Sequence, residues 1–467
     1  NWNKISSVNK QILFNKLSLF ISQTRVMKLN NKVLRVLIIG ETFHKKSGGG
    51  ITLTNLFSKW PKENLAVVST HKTIIKTDEN FNIKLYRLGE DEISPRFPLN
   101  VLQQSYSSGK YIIRASDTST IEVRGQLNFK DYLKRFVDKI FSAFGLYFLL
   151  SRTHPSKKLY DFISEFNPDI IYTQLSTLEL IKFVYAIKKD LNIPLAIHIM
   201  DDWPEYLPDK CIIFKKYWKK LIDKEFRKIL EEAKFLFAIS EGMAREYHQR
   251  YGKEFIPFHN PVDLAKWLPF SKSNWEINTP CKVLYTGRIG LANSNSLYSI
   301  CKAIDYIYQE HHIDLFLDIY TPNYADRNAK YITNRFKRVR VFPPVSHESM
   351  PNLLSSVDLL ILPLDFDKKS IRFARLSMPT KASEYMISGT PTTVFADKAT
   401  FLSEHATRYC WAVVINKNDY KALAQKILDL YNNEDLRKKI GVNAKNFALK
   451  NYDKEKITKE FYTQLIL

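Results

Sequence analysis

Val33-Leu34-Arg35-Val36-Leu37-Ile38-Ile39-Gly40, then Ser47-Gly48-Gly49-Gly50, then Ile51, Leu53, Leu56 and Phe57, is the stretch that decides the fold. An unbroken apolar run closed by glycine reads as a strand buried on both faces, as strands of parallel sheets are. The apolar residues after the glycines recur at helical spacing, so the unit is strand, glycine-rich loop, helix. Similar runs follow at Leu65-Ala66-Val67-Val68, Ile170-Ile171-Tyr172, Leu195-Ala196-Ile197-His198-Ile199 and Phe235-Leu236-Phe237-Ala238-Ile239. A helical pattern over residues 178–189 separates the second of these from the third. Alternation of this kind predicts a parallel sheet covered on both sides. Residues 90–128, rich in proline and serine, interrupt the rhythm and read as an insertion.

A second α/β unit starts near Lys282, with strands at Val283-Leu284-Tyr285-Thr286, Leu315 to Tyr320, Val339 to Phe342, Leu359 to Leu362 and Thr392 to Phe395. Between the units, Asn260-Pro261-Val262-Asp263 and residues 266–273 have the polar and proline content of a linker. The expectation is therefore an α/β chain of two facing, doubly wound, Rossmann-like domains. Residues 32–267 form the first domain and 268–440 the second. Residues 441–467 form a terminal helix that can return to the first domain. Residues 1–31, polar and basic, read either as a functional arm or as sequence upstream of the true start, and have no small-residue cleavage site. Ligands of open α/β folds bind beyond the carboxyl ends of the strands, so the cleft between the two sheets is where a site is expected.

Composition narrows the class. In 467 residues, 70 lysines and arginines oppose 48 acidic residues, a formal charge of +22. That charge suits phosphorylated substrates, an anionic membrane surface or nucleic acid, and equally suits plain solubility. No stacking platform or RNA-binding motif is present, so nucleic acid is not expected as a partner. Cys211, Cys281, Cys301 and Cys410 stand far apart without C-x-x-C spacing, which excludes a zinc knuckle or disulfide framework and points to a reducing, cytoplasmic compartment. No run of about 18 apolar residues marks a membrane span.

The residues with chemistry cluster in the second unit. Ser377-Met378-Pro379-Thr380-Lys381 leads into a helical pattern, with Ser377 as a cap and Pro379 and Thr380 in the first turn. A helix start offers unpaired N–H groups and partial positive charge to a phosphate, and Lys381 adds a full charge. Glu384 lies one turn along, either as a surface ion-pair partner for Lys381 or as an acceptor for sugar hydroxyls. Arg288 follows the unit's first strand in Gly287-Arg288-Ile289-Gly290, where its fork suits a diphosphate. Asp201 and Asp202, in His198-Ile199-Met200-Asp201-Asp202-Trp203-Pro204, end a first-domain strand. They read as active-site polar residues, as turn formers or as metal ligands. No convincing metal constellation accompanies them, so none is assigned, and His198 reads as a strand histidine.

These motifs together resemble retaining glycosyltransferases of family 4, which have the GT-B fold and use nucleotide sugars. The likeness runs over residues 235–465. It includes Ala238 to Met243, Asn260 to Asp263, Tyr285 to Gly290, Val357 to Pro363, Glu384 to Pro391 and the tail from Leu436. The resemblance implies that Arg288 binds the donor diphosphate, that Glu384 binds the ribose, and that the Pro344-Val345-Ser346-His347 loop lies near the base. Gly49 and Gly50 would let the first-domain loop approach the phosphates. Ser377, Thr380 and Gly287 join the donor set; Asp201, Asp202, Arg288 and Lys381 form the catalytic set. No cofactor is implied beyond the nucleotide-sugar donor. The acceptor is expected to be a cell-surface glycan or a lipid-linked glycan.

Three departures matter. Leu376 stands where the family has the first glutamate of its Glu-x7-Glu motif. Leu291-Ala292-Asn293-Ser294 replaces a lysine after the arginine, and Lys381 is expected to substitute for it. Asp201 stands in the place of a family histidine. No nucleophile for a covalent intermediate is evident. The departures leave a non-catalytic GT-B binding protein, or a nucleotide-sugar epimerase, as the other readings. Finally, residues 129–144 and 214–229 are basic and amphipathic. They fit either core-facing helices with solvated outer faces or peripheral attachment to the inner face of a membrane.

Overall fold

The computed structural model describes residues 33–45, 47–78, 81–102, 104–113 and 139–467. Residues 1–31, and most of the first amphipathic stretch, lie outside the described residues.

Among the described residues, the amino-terminal sheet contains β1 (Val36–Ile39), β2 (Leu65–Thr70), β3 (Lys84–Leu88), β4 (Gly109–Tyr111), β5 (Ile170–Thr173), β6 (Leu195–Ile199), β7 (Phe235–Ala238) and β8 (Ile256–Pro257). Their spatial order is β4-β3-β2-β1-β5-β6-β7-β8. All pair in parallel except β4, which runs antiparallel to β3. The continuous apolar composition of β1 follows from its central place. Leu37 and Ile39 enter one core cluster, while Val36 and Ile38 enter another on the opposite face.

The carboxy-terminal sheet has β9 (Cys281–Thr286), β10 (Leu315–Tyr320), β11 (Val339–Phe342), β12 (Leu359–Pro363), β13 (Thr392–Phe395) and β14 (Val413–Ile415). Its order is β11-β10-β9-β12-β13-β14, parallel throughout. Two parallel sheets with helices on both faces, one in each half, are the architecture the sequence pattern predicts.

Six helices position the cleft: α1 (Gly48–Leu56), α2 (Leu178–Leu191), α3 (Lys215–Glu232), α4 (Glu241–Tyr251), α5 (Lys381–Ser388) and α6 (Lys454–Ile466). The terminal helix α6 crosses back to the first domain. There Phe461 packs edge-on against Phe57, Tyr172 and Phe258. The outgoing and returning chains are stitched together where they cross. The Val262 N–H donates to the Tyr452 carbonyl at 2.8 Å, and the Lys454 N–H donates to the Val262 carbonyl at 3.0 Å. This double crossing fixes how far the two sheets can part.

Candidate functional site

The carboxy-terminal wall of the cleft is built from the end of β9 and the start of α5. Gly287 has φ +137°, a conformation that favours glycine. A Cβ at that position would also collide with the Lys381 ammonium. Lys381 Nζ donates to the Thr286 carbonyl and lies 4.6 Å from the centre of the Tyr285 ring. It makes no ion pair with Glu384, so the reading of these two as a surface pair does not hold. Burial draws the Lys381 amine down to about 8, against the pull of the Glu384 charge. Burial likewise pushes Glu384 up to about 7, against the charges of Lys381 and Lys266.

Arg288 differs from Lys381 in that it is exposed, and its side chain makes no hydrogen bond or ion pair with the described residues. Its backbone is nonetheless fixed. The Arg288 carbonyl accepts from Tyr285 Oη at 2.8 Å and from Asn293 Nδ2 at 2.8 Å. Asn293 Oδ1 accepts from the Gly290 N–H at 2.9 Å. Tyr385, on α5, accepts the Thr286 N–H at 3.0 Å, which ties the arginine loop to the helix that carries Lys381. A free guanidinium thus stands on a braced loop, one residue from the glycine against which the lysine rests.

Glu384 faces the loop after β11, where its Oε1 is 4.0 Å from His347 Nδ1. Val345 is half-buried in that loop. Helix α5 begins at Lys381, two residues later than expected, and Ser377 is not its cap. Ser377 Oγ instead donates to Asp201 Oδ1 across the domain junction, at 3.0 Å.

The amino-terminal wall corrects several expectations. Asp202 is only 2% exposed. Its two oxygens accept from Arg250 Nη1 and Nη2, each at 2.8 Å, and Tyr247 Oη adds a bond at 3.1 Å. That carboxylate braces α4 and is not available to substrate, so it leaves the catalytic set. Asp201, its neighbour, points the other way and reaches the second domain. His198 is a neutral strand histidine: Nδ1 bonds to Tyr172 Oη at 2.7 Å, and burial takes its pKa down to about 3.

Gly49 and Gly50 lie in the first turn of α1, packed against their own domain. A Cβ on Gly49 would lie 2.7 Å from Gln174 Oε1, and one on Gly50 would collide with the His44 ring. The glycine that meets the other domain is Gly48, where a Cβ would lie 3.3 Å from Thr380 Cγ2. The starts of α1 and α5 are therefore neighbours across the cleft. Asn260 joins them: Asn55 Nδ2 donates to Asn260 Oδ1 at 2.8 Å, and Asn260 Nδ2 donates to the Thr380 carbonyl at 3.3 Å. Sequence reading took Asn260 for linker. Its side-chain role depends on contacts 205 and 120 residues away along the chain.

Leu376 is buried within the amino-terminal core cluster, and its carbonyl accepts from Ser240 Oγ at 2.7 Å. The side chain that replaces the family's glutamate is thus an interdomain hydrophobic contact. Arg375, beside it, pairs with Glu246 at 2.8 Å.

Residues 280–433 match the family model described as glycosyl transferases group 1. The match lies wholly within the second domain, which has the sequence pattern of that family. Several solved structures share the whole architecture of this chain at low identity, and they establish the fold alone. A glycosyltransferase from Rickettsia africae ESF-5 has a TM-score of 0.59 at 15% identity, over 93% of this chain and 99% of that one. Anabaena Alr3699/HepE in complex with UDP and glucose has a TM-score of 0.56 at 14% identity, over 92% and 99%. Sucrose-phosphate synthase from Thermosynechococcus elongatus has 0.56 at 13% identity, over 92% and 98%. No curated protein matches this chain in sequence. Among its described residues no helix is long and apolar enough to cross a membrane.

Proposed function

We propose that this chain moves a sugar from a nucleoside diphosphate sugar to a cell-surface glycan or lipid-linked acceptor, with retention at the anomeric carbon. The observation that carries this reading is the corner where Lys381, the start of α5 and the braced Arg288 loop meet. Departure of a nucleoside diphosphate builds negative charge on the bridging oxygen, and fixed donors aimed at that charge lower the barrier. Lys381 and the α5 N–H groups receive the diphosphate, and Arg288 closes on it from the exposed side. Gly287, lacking a side chain, leaves room for the Lys381 ammonium against the backbone. Glu384 accepts hydrogen bonds from the ribose hydroxyls, and the backbone around Val345 lies along the base. Ser377 and Asp201, joined across the junction, contact the transferred sugar in place of the family's glutamate. Anabaena Alr3699/HepE, in complex with UDP and glucose or with UDP-glucose, makes a uridine diphosphate sugar the first donor to try.

A membrane-associated acceptor is supported by the start of α3. Trp218, Ile222, Phe226 and Ile229 face the core. Ahead of them, Ile212 is 83% and Phe214 64% exposed, with Ile213 and Tyr217 beside them. Lys216 and Lys220 are exposed on the same turns. Apolar residues ringed by lysines suit the inner face of an anionic bilayer. Flotation with anionic vesicles at low salt tests this attachment; absence of binding there removes it.

The enzymatic reading is tested by donor hydrolysis over a panel of nucleotide sugars. Lys381→Ala and Arg288→Ala should each lower kcat/KM about a hundredfold, the scale of losing one preorganised donor, with thermal unfolding retained. Equal turnover in wild type and both variants contradicts it.

A further inference from the structure

A cavity of about 540 Å³ opens in the first domain, and none of its lining residues belongs to the cationic corner. Its walls come from the segment after β3 (Ser94, Arg96), from residues 148–154 and from the first turns of α2 (Glu179, Lys182). The first two walls are joined as a ladder. The Ser94 N–H donates to the Arg152 carbonyl at 3.1 Å, and the Arg96 N–H donates to the Leu150 carbonyl at 2.9 Å. This geometry places Arg96 and Arg152 on adjoining strands of backbone. Lys182 stands on the facing helix. All three are exposed; neither arginine side chain has a hydrogen bond or ion pair among the described residues, while Lys182 acts on the nearby Glu179 carboxylate. The only acidic residue lining the cavity is Glu179.

The cavity lies at the catalytic end of its sheet. Helix α2 starts beyond the carboxyl end of β5, and a Cβ on Gly40, at the end of β1, would meet Leu180 at 2.8 Å. Between β5 and α2, Gln174 Nε2 donates to the Gly49 carbonyl at 3.3 Å, so the same connection touches the glycine loop. A second cavity of about 260 Å³ shares Ser94 with the first. Its lining includes Glu90, Asn100, Gln104, Ser105 and Tyr106, carboxylate, amide and hydroxyl groups that suit the neutral hydroxyls of a sugar, so the acidic group is placed at the arginines of the first cavity.

We infer that this paired cavity is the acceptor site and that it takes a glycan bearing an acidic group, a uronate carboxylate or a sugar phosphate. The inference rests on the proposed glycosyl transfer. Two unpaired arginine forks opposite a lysine are the chemistry of oxyanion recognition, because each fork can give two parallel N–H bonds to one such group. Glu179 serves as an acceptor for a hydroxyl next to the acidic group.

The test uses the full chain with oligogalacturonate as the acidic probe, maltohexaose as the neutral one, glucose 6-phosphate as the phosphate-bearing sugar, and UDP as a separate titrant. Arg96→Gln combined with Arg152→Gln should weaken oligogalacturonate binding at least tenfold and leave UDP affinity within twofold. A charge-matched control, Lys438→Gln with Lys439→Gln on an exposed helix, should retain oligogalacturonate binding. Stronger binding of glucose 6-phosphate than of the galacturonate unit would assign the site to sugar phosphates within the same class. Equal losses in the arginine pair and the lysine control would show attraction to net charge alone and overturn the site. Equal binding of maltohexaose and oligogalacturonate would overturn the acidic class. Failure of UDP to bind, with the arginine effect intact, would contradict the donor reading while supporting this cavity.

Discussion

The two walls of the cleft are made differently. The carboxy-terminal wall holds its chemistry ready: Lys381 rests on Thr286 and Gly287, Arg288 projects from a loop pinned by Tyr285 and Asn293, and Glu384 sits one turn away. The amino-terminal wall has its polar residues already committed. Asp202 is bound by Arg250, Gly50 is packed on His44, and Asp201 is tied to Ser377. The contrast teaches that the leaving-group half of the reaction is preorganised in one domain. The other domain supplies support and, through its free arginines, acceptor contacts.

The contrast can be broken most sharply at the paired aspartates. Asp202→Ala takes two hydrogen bonds from Arg250, which keeps Glu246, and one from Tyr247; it should cost about 3 kcal/mol, the upper end for hydrogen bonds to a charged group. Asp201→Ala should leave unfolding nearly unchanged and lower turnover. Thermal denaturation beside donor hydrolysis separates the two, and the reverse pattern would exchange their roles. A smaller effect is expected at the glycine loop. Gly50→Ala drives a methyl group into the buried His44 ring and should destabilise by about 2 kcal/mol, within the range for overpacking. The donor wall should be indifferent to that change, so UDP affinity per folded molecule stays the same.

The donor wall itself is sharpened by pH. Lys381 is drawn down to about 8, so its positive charge is present below that value and lost as pH rises through it. The kcat/KM profile, which reports groups of the free enzyme, should fall on the alkaline side near pH 8. In Lys381→Arg that limb should move beyond the accessible range, because a guanidinium stays charged. An unchanged limb would mean that another group titrates there.

What was legible in the sequence follows the same division. The central strands of both sheets were readable because they are apolar on both faces, whereas β3, β4, β8 and β14, short or carrying charged and half-exposed residues, were not. The donor wall was readable because its parts are local, a G-R-x-G loop after a strand and a lysine at a helix start. The first-domain wall was harder to read because its roles come from partners distant in the chain. Nothing adjacent to Asp202 reveals Arg250, 48 residues on. Nothing near Leu376 reveals that it plugs the other domain's core, so its departure from the family pattern was visible while its packing was not. The start of α5 was misplaced by two residues because Ser377, a good cap by residue type, is held by Asp201 instead.

The central claim is that Lys381 and Arg288 share one diphosphate. Binding of UDP and of uridine to wild type, Lys381→Ala, Arg288→Ala and the double variant tests it directly. The account predicts that UDP affinity falls towards that of uridine, that uridine binding stays constant, and that the two single effects are not additive, as for residues acting on one group. Uridine affinity falling in step with UDP, or strictly additive losses, would contradict it.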